Sequence, residues 1–283
     1  MMADTAGRAD ARPWWRRVGL FCAVVLVLAG AWEGYRAVGE SLRLSFPFPV
    51  NSRTMPHISE ILAQFGKPSR RNGPLLAVVL LRAAANTGQK AALGFLLGAS
   101  SGFLLGIAVA HSRLLERGFL PYLVASQTVP ILAIAPMVVV WLGAGLLSVA
   151  IIAAYLTFFP VTVNTLRGLR SADPRALELM RSYAASPWQV LWRLRVPASM
   201  PYVFTALRVA APASVVGAII GELPSSIQGG LAGAILNYNQ YYVTSPASLW
   251  ATNLVAALLG IGFYAVVALA ERFVVHRAPE HVA

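Results

Sequence analysis

Few residues of this 283-residue chain are of types that could make or break bonds, and their spacing does not assemble a catalytic set. His57, His111, His276 and His281 are scattered through loops and ends. None joins a metal-ligand constellation, because the one cysteine, Cys22, stands alone in an apolar run and reads as a small core hydrophobe. There is no G-x-S-x-G, and Gly66-Lys67 is followed by Pro68 without the upstream glycine of a phosphate-binding loop. The chain is therefore expected to have no catalytic residue, to hold no metal or cofactor, and to bind no ATP itself. Acids that could carry coupling protons through a bilayer are scarce too: Glu33 closes the first apolar span and Glu222 the fifth.

The elements that position these residues follow from composition. Hydrophobic residues make up 57% of the chain and charged ones 12%, with a mean hydropathy of +0.64. So little charge cannot cover a water-facing surface, which excludes disorder and points to a membrane protein. The balance of 23 Lys and Arg against 11 Asp and Glu gives a net charge of +12. These basic residues lie mostly in short segments between apolar runs. Lipid headgroups and the positive-inside rule account for them there, and no nucleic-acid partner is expected.

A bilayer core takes about 20 apolar residues per helix. The first span is placed at 18–38, after a basic tail over 1–17 containing Arg8, Arg12, Arg16 and Arg17. Ala29-Gly30-Ala31 could serve as a signal-peptide cleavage site, but the length of the apolar run favours a retained span. A Pro-rich arm over 39–86 should be periplasmic and extended, with a possible interfacial helix at 75–85. The remaining five spans fall in a core over 87–272, followed by a tail over 273–283. From Gly118 to Leu166 no residue is charged, and Gly143-Ala144-Gly145 divides that run into two spans. The expectation is an all-α polytopic protein with six transmembrane helices. Arginines concentrate on one side of that topology, which puts both termini in the cytoplasm, although the basic residues of the arm dissent.

Within the second span Gly94, Gly98, Gly102 and Gly106 repeat every four residues, which lines one helix face and permits a close crossing. Pro130, Pro136, Pro160 and Pro212 interrupt later spans and permit kinks. Polar residues inside spans three to five, Gln127, Thr128, Asn164, Ser214 and Glu222, either line a path or hydrogen-bond between helices. Between spans four and five runs DPRALELMRSYAASPWQVLWRLRVPASMP. Asp173 followed by Pro174 is a helix start, and Ser186-Pro187 turns the chain into a second short helix. Its apolar residues need either a partner surface or the membrane interface.

This stretch resembles the cytoplasmic signature of the permease subunit of binding-protein-dependent ABC importers, in the branch associated with nitrate, sulfonate, taurine and pyrimidine-type substrates. Glu178 takes the Glu of Glu-Ala-Ala, with Leu179 and Met180 in place of the alanines. Ala184 takes the Gly position, and Leu194-Arg195-Val196-Pro197 the Ile-x-Leu-Pro. GFLLGASSGFLLG, VPILAIAPMVVVWLGAG, FFPVTVNTLRGL and LRVAAPASVVGAIIGEL are similar to the family's spans in the same order. The resemblance implies a type I importer-like permease fold and coupling to a separate ABC ATPase through Glu178, Ala184, Leu194 and Pro197. It also implies a second permease copy, as a homodimer or heterodimer, and a periplasmic or lipid-anchored substrate-binding protein. ATP and Mg would then be bound by the ATPase. The loop GGLAGAILNYNQYYVTSP offers Asn237, Asn239, Gln240, Tyr241 and Tyr242 as a contact or gate for the binding protein. The rival readings are a stand-alone secondary carrier, an intramembrane enzyme and a non-transporting scaffold.

Overall fold

A computed structural model describes residues 14–42, 50–224 and 229–275. Most of the basic tail and of the C-terminal tail, with His276 and His281, lies outside the described residues. The regular elements among the described residues are all helices, with one isolated bridge between Pro68 and Leu75. The helices are α1 (Trp14–Ser41), α2 (Ile58–Gln64), α3 (Leu76–His111), α4 (Arg113–Ser126), α5 (Ile131–Leu142), α6 (Leu146–Arg170), α7 (Pro174–Ser182), α8 (Pro187–Val190), α9 (Val196–Glu222), α10 (Leu231–Gln240) and α11 (Pro246–Val274). A π-helical turn, Leu191–Arg195, joins α8 to α9.

Among the described residues five helices are long and apolar enough to cross a bilayer: α1, α3, α6, the continuous α8–α9 run and α11. The pair α4 and α5, bent by 99° at a break that includes Pro130, passes the same test only when taken together, as a broken span or a re-entrant loop. The helix expected as the third span is thus interrupted, because Pro130 lacks the N–H that would continue α4.

One boundary is corrected. No separate interfacial helix lies at 75–85, since α3 runs unbroken for 36 residues from Leu76. No proline interrupts it, and Leu76, Leu80, Ala83, Ala84, Thr87 and Ala91 form one continuous buried face. At 1.5 Å per residue α3 is about 54 Å long, longer than the ~30 Å hydrocarbon core. Its ends must therefore project into the headgroups or beyond.

The core is a sandwich of α3, α6 and α9. The α3 glycines lie on the carbonyl row of α6. A Cβ at Gly94 would sit 2.6 Å from Ala150 O, at Gly98 2.5 Å from Ala154 O, and at Gly102 2.7 Å from Phe158 O. The row ends with Gly106, whose Cβ would fall 2.7 Å from Thr165 Cβ. On an adjoining face of α6, a Cβ at Gly217 of α9 would come within 2.8 Å of Ala153 Cα, a residue that Gly94 of α3 also approaches. Lipid is as apolar as leucine, so backbone-to-backbone dispersion contact supplies the attraction between these helices.

The arm packs through α2. Ile61 joins Leu76, Leu80, Ala234, Tyr238, Ala247 and Ala251 in one apolar cluster, and Gln64 Nε2 donates to Ser245 Oγ at 3.2 Å. α1 stands apart, with Leu20, Leu26, Val27 and Leu28 all more than half exposed. Trp32 anchors it by an edge-on contact with Trp250 at 5.1 Å and a hydrogen bond to Pro56 O. Cys22 is exposed on this outlying helix, not in the core, because α1 packs against the rest of the chain chiefly through its C-terminal half.

Candidate functional site

Two polar constellations stand at opposite ends of the α3–α6–α9 sandwich. The first is the stretch between α6 and α9. Asp173 caps α7 by accepting the N–H of Arg175 at 2.9 Å, and Pro174 occupies the first helical position. α7 ends in a Schellman turn. Ala184 N donates to Arg181 O at 2.9 Å and Ala185 N to Met180 O at 3.0 Å, while Ala184 sits at φ +50°. That is the left-handed position which glycine fills without a Cβ penalty, so alanine there costs about 1–2 kcal/mol. Ser186 then opens α8 with a reciprocal box: its hydroxyl accepts from Gln189 N, and Gln189 Oε1 accepts from Ser186 N at 2.8 Å.

No residue of α7 or α8 is buried. Leu179, Tyr183 and Trp188 are more than half exposed, Trp188 and Trp192 meet edge to face at 5.4 Å, and Glu178 and Pro197 lie on the surface. Leu194 is half-buried. The π turn ends against Pro197, whose ring would clash with the carbonyl four residues back in a regular helix; the wider turn relieves that clash. Beside this stretch a cleft of about 1070 Å³ gathers Arg113, Arg117, Arg170, Arg181 and Arg195. Its one carboxylate, Glu116, accepts from Arg170 Nη1 at 2.6 Å and ties α4 to the end of α6.

The second constellation closes the other end. Glu222, the last residue of α9, is 1% exposed and meets Lys90 Nζ of α3 at 2.8 Å. Thr87 Oγ1 donates to the same carboxylate at 3.0 Å and accepts the N–H of Leu231 at 2.8 Å. Ala232 N donates to Glu222 Oε2 at 3.2 Å, so the carboxylate sits at the N-terminus of α10, where the helix dipole favours it. Gly230 gives it room, since a Cβ there would fall 2.2 Å from Oε2.

The five polar residues expected along a path are not brought together. Asn164 Nδ2 donates to Pro160 O and Ser214 Oγ to Ala211 O, each within its own helix. Thr128 Oγ1 donates to Ala125 O in the break between α4 and α5, and Gln127 lines a small cleft beside Tyr155 and Phe159. Glu222 lines a separate cavity with Arg82 and Asn237. In the loop offered as a gate, Tyr242 donates its hydroxyl to Arg53 O, and Asn239, Gln240 and Tyr241 are exposed.

Sequence reading missed Lys90, placed at the end of a basic arm. A signal was present: Lys90 stands one four-residue step before Gly94, so it falls on the same buried face as the glycines.

These elements match the family model for the inner membrane component of binding-protein-dependent transport systems over residues 102–276, more than half of the chain. The chain belongs to that family, the membrane-embedded permeases of ABC importers. It is 34% identical over 205 residues to the formylaminopyrimidine transport permease protein ThiX of Halalkalibacterium halodurans, covering 72% of this chain and 75% of that one. Against the nitrate import permease protein NrtB of Synechococcus elongatus it is 25% identical over 250 residues, 88% of this chain and 86% of that one. The taurine transport system permease protein TauC of Escherichia coli is 30% identical over 168 residues, 59% of this chain and 57% of TauC.

Proposed function

We propose that this chain is the permease subunit of an ATP-driven importer for a small polar or anionic solute. It would line the translocation path without catalysing a reaction, while a separate ABC ATPase binds ATP and Mg. The observation that carries the reading is the α7–α8 stretch. It is a capped pair of short helices, set at the junction of two core spans, whose Leu179, Tyr183 and Trp188 remain more than half exposed among the described residues. Such a surface fits helix-in-groove docking, and a push on it is transmitted to α6 and α9 together. Glu178, Ala184, Leu194 and Pro197 are its coupling residues. The arginine-lined cleft beside them supports, by the positive-inside rule, a cytoplasmic assignment for this end and for both termini. A substrate-binding protein would approach the α10 end, and a second permease copy would complete the channel.

The test is co-purification from gently solubilised membranes. The native chain should retain an ATPase subunit, and Glu178→Lys, a surface change that leaves the helix caps intact, should lose most of it. A chain that purifies alone under the same conditions, yet transports in vesicles along an ion gradient, would make it a secondary carrier.

A further inference from the structure

The cleft beside α7 and α8 holds more positive charge than its own acids balance. Five arginines line it, Arg113, Arg117, Arg170, Arg181 and Arg195, against one carboxylate, Glu116. Arg170 takes up that carboxylate through both of its terminal nitrogens. The other four arginines make no ion pair among the described residues. Arg195 Nε is withdrawn from solvent and finds no acceptor among them. A buried N–H without an acceptor is unfavourable, and an oxygen from a ligand would satisfy it. Arg113 opens α4, where the helix dipole disfavours a cation and favours an anion.

The helices around the cleft have divided faces. On α7, Leu177 and Arg181, four residues apart, line it, whereas the exposed Leu179 and Tyr183 lie off it, as does Trp188 of α8. The cleft is therefore a different surface from the one offered to an ATPase. On α4, Arg113, Glu116, Arg117 and Leu120 line it, while Leu115, Phe119 and Tyr122 are exposed on the opposite face. A helix that is basic on one side and apolar on the other suits the membrane interface. α4 also follows directly on the end of α3, which puts the cleft at the level of the lipid headgroups. Leu120, Pro121, Val190 and Leu191 add an apolar wall. With a volume of about 1070 Å³ the cleft has room for a whole headgroup, since small-molecule sites span about 300–1,000 Å³.

We propose that this cleft binds an anionic phospholipid, with the phosphate shared by Arg113, Arg117, Arg181 and Arg195 and the glycerol end against Leu120, Pro121 and Leu191. Guanidinium groups suit phosphate because they donate paired hydrogen bonds to its oxygens. Basic pockets between spans collect such headgroups. The bound lipid would hold α4 to α7 and to the π turn by charge, as Glu116 holds α4 to α6. The proposal goes beyond the importer reading and needs only a bilayer at α4, not an ATPase.

Native mass spectrometry of the full chain in detergent counts bound lipid directly. Dioleoylphosphatidylglycerol should be retained at concentrations about tenfold or more below those needed for dioleoylphosphatidylcholine. Arg113→Gln/Arg117→Gln should erase most of that preference. Arg70→Gln/Arg71→Gln, which removes the same charge from exposed positions of the arm, should leave it intact. Equal retention of the two lipids, or equal losses in the two double variants, overturns the site. Should Arg113→Gln/Arg117→Gln fail to accumulate, Arg181→Gln, exposed on α7, carries the measurement with a loss of about fivefold. Millimolar glycerol phosphate, offered to the chain in phosphatidylcholine, should not take the lipid's place. If it binds as tightly as phosphatidylglycerol, the ligand is a free phosphate ester and the lipid assignment falls. An ATPase lost from Arg113→Gln/Arg117→Gln while the lipid preference is unchanged would make the cleft part of the ATPase dock and would also overturn the site. The preference is measured without an ATPase, so it stands or falls apart from the importer reading.

Discussion

Lys90 and Glu222 are both withdrawn from solvent, and each offsets the other's buried charge. Desolvating two ions costs several kcal/mol apiece, so the pair adds little net stability but penalises the loss of either member. Lys90→Met should therefore destabilise the folded chain by about 3–5 kcal/mol. In Lys90→Met/Glu222→Met much of that loss should return, since no lone carboxylate remains. Thermal unfolding in detergent reads both, and equal losses in the single and double variants would show that the charges are not coupled. Ala184 is the converse case, an exposed residue in a strained left-handed turn whose strain is local.

At the scale of the element, the four α3 glycines act as one contact surface against α6. A branched side chain at any of them meets backbone carbonyls, which cannot rotate away. Gly98→Val should lower stability by about 1–3 kcal/mol, whereas Leu96→Val, on the exposed face two residues earlier, should change it by less than about 0.5 kcal/mol. Paired melting curves decide this. If the two variants melt alike, the close crossing contributes nothing. The same logic applies to α9, whose Gly217 and Gly221 approach an adjoining face of α6.

In the whole molecule, stability is uneven. The sandwich of α3, α6 and α9 is tightly packed, while α1 is tethered chiefly through Trp32, Arg36 and Glu33 to the arm. Trp32→Ala removes an aromatic contact of about 0.5–1.5 kcal/mol and a hydrogen bond of about 1 kcal/mol. Hydrogen exchange over residues 50–64 should then accelerate by roughly tenfold or more, with α3, α6 and α9 unchanged. Acceleration in the core helices instead would make α1 part of the cooperative unit. An uneven molecule of this kind suits a permease whose core moves as a body between two states.

Much was legible in the residues. Hydropathy gave the spans, because burial in lipid demands about 20 apolar residues in a row whatever their neighbours. The period of four gave the packed face of α3, and Asp173-Pro174 and Ser186-Pro187 gave the short helices, since caps act within one turn. The interruption of the expected third span, the unbroken reach of α3 back to Leu76 and the company kept by Lys90 were not legible. Lys90 and Glu222 lie 132 positions apart, and only the crossing of α3 with α9, closed by the return of α10, brings them within 2.8 Å. Local pattern fixes what a few consecutive residues must do to satisfy their own backbone. Which charges survive burial is decided by partners that the chain supplies only after it has folded back on itself.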